Sequence, residues 1–170
     1  LRGDLPDGVT ADSLDFRYAN ELVEEIKKSY DFCIGGACYP EGHVESKNSR
    51  EDISNLKRKV DAGCEFLTTQ MFFDNNIIYS FLYKIREAGI TVPVLPGIMP
   101  VTNAKQIERI IKLSGTYLPQ RFKRIVDRFG DNPEAMKQAG IAYATDQIID
   151  LFANGINAVH VYSMNNPEVA

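Results

Sequence analysis

Short runs rich in β-branched residues alternate with longer amphipathic runs along this chain, and that alternation constrains its fold more than any other feature. The strand-like runs are 31–39, 65–70, 92–98 and 157–164. They are nearly continuous in apolar residues, the pattern of strands covered on both faces. The helix-like runs are 13–29, 50–62, 74–88, 103–114, 119–129 and 133–153. Leu14, Tyr18, Leu22 and Ile26 predict one apolar stripe, and Ile53, Leu56 and Val60 another. Ser49, Asp74 and Asn103 are the expected N-caps, Pro119 and Pro133 open helices, and Gly63, Gly89 and Gly115 close them. Such alternation builds a parallel sheet with right-handed crossovers.

Two α/β architectures fit, an open doubly wound sheet and a (β/α)8 TIM barrel. The dinucleotide fingerprint G-x-G-x-x-G and the P-loop are both absent. Chemically useful residues follow the strands instead: Asp4, Tyr39–His43, Gln70 and Tyr162–Asn166. A barrel gathers all such loops on one face, so the barrel is expected. A complete barrel needs ~250 residues. With four full strands in 170 residues, the chain is expected to be a single partial barrel domain, 1–170, running from the end of strand 4 through strand 8. Its first residue is Leu, which suggests a start inside a longer protein. Unpaired edges and open apolar faces of a part-barrel favour homo-oligomerisation or a larger parent.

A formal charge of −4 without basic clusters argues against a nucleic-acid surface. No apolar run approaches the ~18 residues of a membrane span. With no secretory signal, a cytoplasmic location is expected. The three cysteines, Cys33, Cys38 and Cys64, form no C-x-x-C pair, and Cys38 with His43 lacks two further ligands, so no metal is expected. They read as reduced, mostly buried thiols.

Several residues suit ligand chemistry. Arg2-Gly3-Asp4 combines a phosphate or carbonyl partner, close backbone approach and a carboxylate for a heterocycle. Tyr39, Glu41 and His43 suit stacking and polar contact with a planar ligand, or form a surface turn. On the 50–62 helix, Asp52 and Lys59 fall within roughly 20° of each other. Asp52 suits hydrogen bonds from a ribose or an adenine, and Arg58 and Lys59 suit phosphates. A solvated charge face is the plain alternative. Gln70, at a strand exit, can read an amide edge. Of Phe72 and Phe73, at least one is expected in the core. Gly35-Gly36 predicts that something approaches the strand backbone closely. Gln106 on its helix and Tyr162 at the last strand's end are further candidates, each with an ordinary structural alternative.

Six stretches, LRGDLP (1–6), CYPEGHVES (38–46), NLKRKVDAG (55–63), TTQMFFD (68–74), PGIMPVTNAKQ (96–106) and HVYSMNNPE (160–168), together resemble the methylenetetrahydrofolate reductase family, in its order and over most of the chain. The resemblance implies a (β/α)8 barrel that binds FAD and reduces 5,10-methylenetetrahydrofolate to 5-methyltetrahydrofolate. NAD(P)H, or an electron-transfer partner protein, would supply the electrons. The implied order is ping-pong: NAD(P)H delivers hydride and leaves before the folate takes it. Arg2, Gly3 and Asp4 would meet the flavin, with Asp4 also facing the pterin as the catalytic residue. Tyr18, Ala19, Ala37, Tyr39, His43, Asp52, Asn55, Arg58 and Lys59 would bind the rest of the cofactor. Gln70, Gln106 and Tyr162 would bind the folate. The family's acid glutamate and an upstream histidine have no counterpart in this stretch. Asn166 stands where an arginine for the folate tail is common, and Ile110 where some members stack a phenylalanine. A catalytically silent flavin- or folate-binding fragment or paralogue is the alternative. An adhesion ligand through Arg2-Gly3-Asp4 is disfavoured by the missing signal, and a metal-dependent methyltransferase barrel by the cysteine spacing.

Overall fold

The computed structural model describes residues 14–169, apart from the side chains of five residues in one helix, Gln106 among them. In order, the elements are α1 (Ala19–Ser29), β1 (Ile34–Cys38), α2 (Ser49–Asp61), β2 (Cys64–Thr69), α3 (Asn75–Glu87), β3 (Val94–Leu95), β4 (Gly97–Ile98), α4 (Ala104–Ser114), α5 (Gln120–Phe129), α6 (Pro133–Ala153) and β5 (His160–Val161). A 3-10 turn follows at Pro167–Val169.

Capping sets most helix starts. Asp74 accepts from the Asn76 N–H, Asn103 from Lys105 and Asn132 from Ala135. At α2 the cap is Asn48, which accepts from the Glu51 N–H, so Ser49 lies one residue inside the helix rather than capping it. Pro119 is likewise the N-cap of α5, just ahead of its first turn. α1 begins at Ala19, later than the predicted residue 13. The Glu21 carboxylate takes the backbone N–H groups of Arg17 and Tyr18 and fixes the start there. The buried side of α1 is also different from the predicted stripe. Val23 is buried, whereas Tyr18 and Leu22 are exposed.

All strand pairs are parallel. β1 and β2 pair from Ile34↔Cys64 to Cys38↔Thr69, with a bulge between Ile34 and Gly35. β2 pairs with β3 through Leu67↔Val94 and Thr68↔Leu95. β4 pairs with β5 through Gly97↔His160 and Ile98↔Val161. The predicted 92–98 strand is thus broken at Pro96, which has no N–H to give the ladder. Thr69 repairs the break: its Oγ1 accepts the Gly97 N–H at 2.8 Å, and the Pro96 carbonyl accepts from His160 N at 2.8 Å. Among the described strands, order in space follows chain order across this break, with no reversal of the doubly wound kind. The terminal strand is shorter than the predicted 157–164, since only His160 and Val161 join the ladder.

One face of the sheet carries the main core. Cys38, Leu67 and Ile98 from the strands meet Leu56 of α2, Ile78, Phe81 and Ile85 of α3, and Ala144 and Leu151 of α6. The alternate positions Ala37, Thr68 and Leu95 fall on the other face by register and are half-buried. A second core lies beyond the strand ends. Phe73, Met99 and Val101 come from loops after β2 and β4, and they pack with Ile107, Ile110, Leu118, Phe122, Met136 and Tyr143. Phe72 and Phe73 are both core residues. Gly140 of α6 lets that helix touch the Val101 carbonyl: a Cβ there would stand 1.8 Å from the oxygen.

Thr69→Val keeps the shape but removes the acceptor for the buried Gly97 N–H. It should cost about 1–3 kcal/mol in denaturant unfolding of the intact protein. Thr69→Ser, which keeps the hydroxyl, should lose no more than about 1 kcal/mol.

Candidate functional site

In a parallel sheet read in chain order, the loops after each strand open at the same end. Here that end carries Tyr39–Ser46 after β1, Gln70–Asp74 after β2, Met99–Asn103 after β4 and Tyr162 onward after β5. Three bonds knit it together. Gln70 N donates to the Cys38 carbonyl (2.8 Å), Tyr162 N to Ile98 (2.8 Å), and the Tyr162 hydroxyl to the Thr69 carbonyl (2.8 Å). Tyr162 reaches Thr69 by crossing β4 at Gly97, where a Cβ would stand 2.6 Å from its ring and 2.3 Å from the Thr69 oxygen. Burial raises the Tyr162 hydroxyl pKa, and neighbouring Cys38 and Tyr39 add to it. The Gln70 Oε1 accepts from Met71 N, which leaves its NH2 end without a partner among the described residues.

The loop after β1 is pinned from below. Gly42 N closes a turn onto the Tyr39 carbonyl, and the Tyr39 and His43 rings meet edge to face at 4.6 Å. His43 Nδ1 accepts the Glu45 N–H, so the neutral ring carries its proton on Nε2. Asp52 is buried, and its Oδ1 accepts from both His43 N (3.1 Å) and Ser46 Oγ (2.9 Å).

Lys59, on the same side of α2, turns inward. Its Nζ donates to the Ala37 carbonyl at 2.7 Å, and burial lowers its pKa. Its stem and the Cys64 sulfur lie over Gly36, each 3.0 Å from where a Cβ would be, while the Phe66 ring covers Gly35. That is the close approach the paired glycines predict. Asn55 and Arg58 are exposed on α2. Arg58 lines a groove of about 590 Å³ between α1 and α2 with Asn20, Glu24 and Lys28. Tyr18 and Ala19 stand at the start of α1, with the Arg17 guanidinium 5.4 Å from the Tyr18 ring centre. Gln106 lies in the first turn of α4, its side chain outside the description. Arg2, Gly3 and Asp4 lie outside the described residues.

The sequence pattern of the methylenetetrahydrofolate reductases matches residues 1–170. The chain belongs to the methylenetetrahydrofolate reductase family. It is 38% identical over 170 residues to the 5,10-methylenetetrahydrofolate reductase of Escherichia coli, covering all of this chain and 56% of that protein. It is 40% identical over 152 residues to methylenetetrahydrofolate reductase 1 of Schizosaccharomyces pombe, covering 88% of this chain and 25% of that protein. The Zea mays methylenetetrahydrofolate reductase (NADH) 1 is 36% identical over 180 residues, covering 97% and 30%. The chain therefore spans about half the length of its bacterial relative and less of the eukaryotic ones. In fold it is similar to an uncharacterized protein from Clostridium thermocellum that binds two copies of 5-methyl-5,6,7,8-tetrahydrofolic acid. The TM-score is 0.58 at 19% identity, covering 81% of this chain and 49% of that one.

In this member of the reductase family the candidate residues fall into two groups. Ala37, Tyr39, His43, Gln70 and Tyr162 share the strand-end rim, with Asp52 and Lys59 beneath it. Tyr18, Ala19, Asn55 and Arg58 belong to the neighbouring α1 and α2. Other rim contacts have no local sequence signal. The Glu41 Oε2 accepts the Tyr117 N–H at 2.8 Å across 76 residues. Burial raises the Glu41 pKa, and nearby Asp74 adds to that, against the opposing pull of the Tyr117 bond. From α6, the Tyr143 hydroxyl and Gln147 Nε2 donate to the carbonyls of Phe73 and Phe72. Asp150 accepts from Asn75 and from Tyr79, whose hydroxyl is pushed up to about 12 by burial and this carboxylate. Tyr39, Glu41, Asp52, Asn76, Phe81 and Lys84 line a groove of about 390 Å³ between the first loop, α2 and α3. Cys38 and Cys64 are buried and unpaired, with the Cys38 thiol pushed up to about 12 by burial, while Cys33 is exposed. Among the described residues, no helix is long and apolar enough to cross a membrane.

Asp52→Ala removes the acceptor for two loop donors. It should lower stability by about 1–3 kcal/mol. Hydrogen exchange at the His43 amide should speed up by more than the exchange of the core amides in α3.

Proposed function

We propose that this chain supplies half of the (β/α)8 barrel of a methylenetetrahydrofolate reductase, strands 5 to 8 with the end of strand 4, and with it much of the FAD and folate site. The reaction is reduction of 5,10-methylenetetrahydrofolate to 5-methyltetrahydrofolate with NAD(P)H. The observation that carries this reading is the convergence of Ala37, Tyr39, His43, Gln70 and Tyr162, from three strands, on one rim of a family member. The half-buried alternate face at Ala37, Thr68 and Leu95 suits the remaining strands of a closed barrel. The reading extends to one domain over 1–170, a cytoplasmic enzyme and a homo-oligomer.

The residues present fit a flavin nucleotide. The edge-to-face Tyr39–His43 pair offers an aromatic and hydrogen-bonding wall. Exposed Asn55 and Arg58 of α2, with Tyr18 and Ala19 at the start of α1, suit the ribose and diphosphate. Lys59 and Asp52 act one step back. Lys59 holds the Ala37 carbonyl, and Asp52 holds the loop carrying Tyr39 and His43. When bound, the flavin carries hydride between NAD(P)H and the folate. The chain's own share is orientation and charge. Gln70 would offer its NH2 end, without a partner among the described residues, to a pterin amide, and Tyr162 and Gln106 would complete the folate site. Asp4 would set the negative charge beside the reacting rings.

The intact protein should purify yellow, bleach with NADH under anaerobic conditions and regain colour with methylenetetrahydrofolate. A colourless protein that takes up no FAD overturns the proposal. Flavin uptake without turnover identifies the silent binding paralogue instead. Asp4→Asn should raise the flavin potential and slow folate reduction by roughly tenfold, about 1.4 kcal/mol of barrier. Faster folate reduction at unchanged potential contradicts the assigned role.

A further inference from the structure

We infer that Glu41 is a positioning residue: its carboxylate clamps the α4–α5 turn onto the loop after β1, and so fixes the spacing between the cofactor-side loop and the folate-side helix. The folate and cofactor labels rest on the function proposed above; the clamp itself rests on geometry. Glu41 sits in the tight turn closed by Gly42 N on the Tyr39 carbonyl, two residues from His43. Its Oε2 accepts the Tyr117 N–H at 2.8 Å. Tyr117 lies in the turn that ends α4, the helix carrying Gln106.

The turn is shaped to present that donor. Gly115 adopts a left-handed conformation at φ 63°, and Ser114 Oγ and Thr116 Oγ1 lie 2.6 Å apart. Leu118 is buried in the core beyond the strand ends, while the Tyr117 ring stays exposed. Tyr117 thus contributes its backbone rather than its side chain. On the α4 side, Ile107 and Ile110 anchor the helix to Met99 and Val101. Those contacts are apolar and non-directional. A charge-assisted hydrogen bond adds the direction they lack, and it joins α4 to the very loop that Asp52 pins to α2. The chain Asp52–loop–Glu41–Tyr117–α4 therefore makes one unit of two segments 76 residues apart in sequence.

The test uses Glu41→Ala and Glu41→Gln in the intact protein. In Glu41→Ala the peptide spanning 115–119 should exchange its amide hydrogens faster. The KM for methylenetetrahydrofolate should rise about tenfold, the scale of a lost charge-assisted bond, with flavin content and flavin reduction by NADH within about twofold of wild type. Glu41→Gln, whose amide oxygen still accepts, should recover the folate KM to within about threefold. Unchanged exchange at 115–119 in Glu41→Ala overturns the clamp. A folate KM that stays put, or a loss shared equally by both half-reactions, overturns its role in positioning. A wild-type protein that holds no flavin overturns the proposed function and that role with it, and the exchange result then decides the clamp by itself.

Discussion

A proline in the third strand would leave a hole in the sheet if Thr69 did not fill it. Pro96 breaks the run between Val94 and Ile98 into two short strands that pair in opposite directions, β3 back to β2 and β4 forward to β5. Thr69, fully buried at the end of β2, takes the Gly97 N–H on its hydroxyl, donates that hydroxyl to the Gln70 carbonyl, and offers its own carbonyl to Tyr162. One residue thereby satisfies the backbone around the break and brings the ends of three strands within reach of each other. The rim where the candidate residues meet depends on this arrangement, because Tyr162 crosses β4 over the bare backbone of Gly97.

Much of the fold was legible because the signals were local. The caps at Asp74 and Asn103 and the proline at the start of α6 stand where their side-chain chemistry put them. The errors came where a second interaction competed. Glu21 captures two N–H groups and starts α1 late, Asn48 reaches Glu51 before Ser49 can cap, and Pro96 interrupts a run whose apolar pattern looks unbroken. The helical wheel put Asp52 and Lys59 on one face correctly. It could not tell that this face turns toward a loop and a strand carbonyl rather than toward solvent.

The site divides along the same line. Tyr39, His43, Gln70 and Tyr162 follow strands directly, so their placement at the rim comes with the topology. The side chains that hold the rim in shape work over long separations. Glu41 meets Tyr117, Tyr143 meets Phe73 and Gln147 meets Phe72, each across 70 residues or more. No spacing rule announces such pairs, and Gln147 on a helix reads as an ordinary polar residue until its carbonyl partner is seen. The paired glycines 35 and 36 were the exception: missing side chains signalled a close neighbour, and Phe66 with Lys59 supplies it.

The uneven burial of the three thiols gives the molecule a ready attachment point. Cys38 and Cys64 are shielded, and burial keeps the Cys38 sulfur protonated, whereas Cys33 is exposed just before β1, at the end of that strand remote from the rim. A maleimide dye offered to the folded protein would therefore settle on Cys33 ahead of its sisters. From there a fluorophore could follow ligand uptake at the opposite pole without intruding on it.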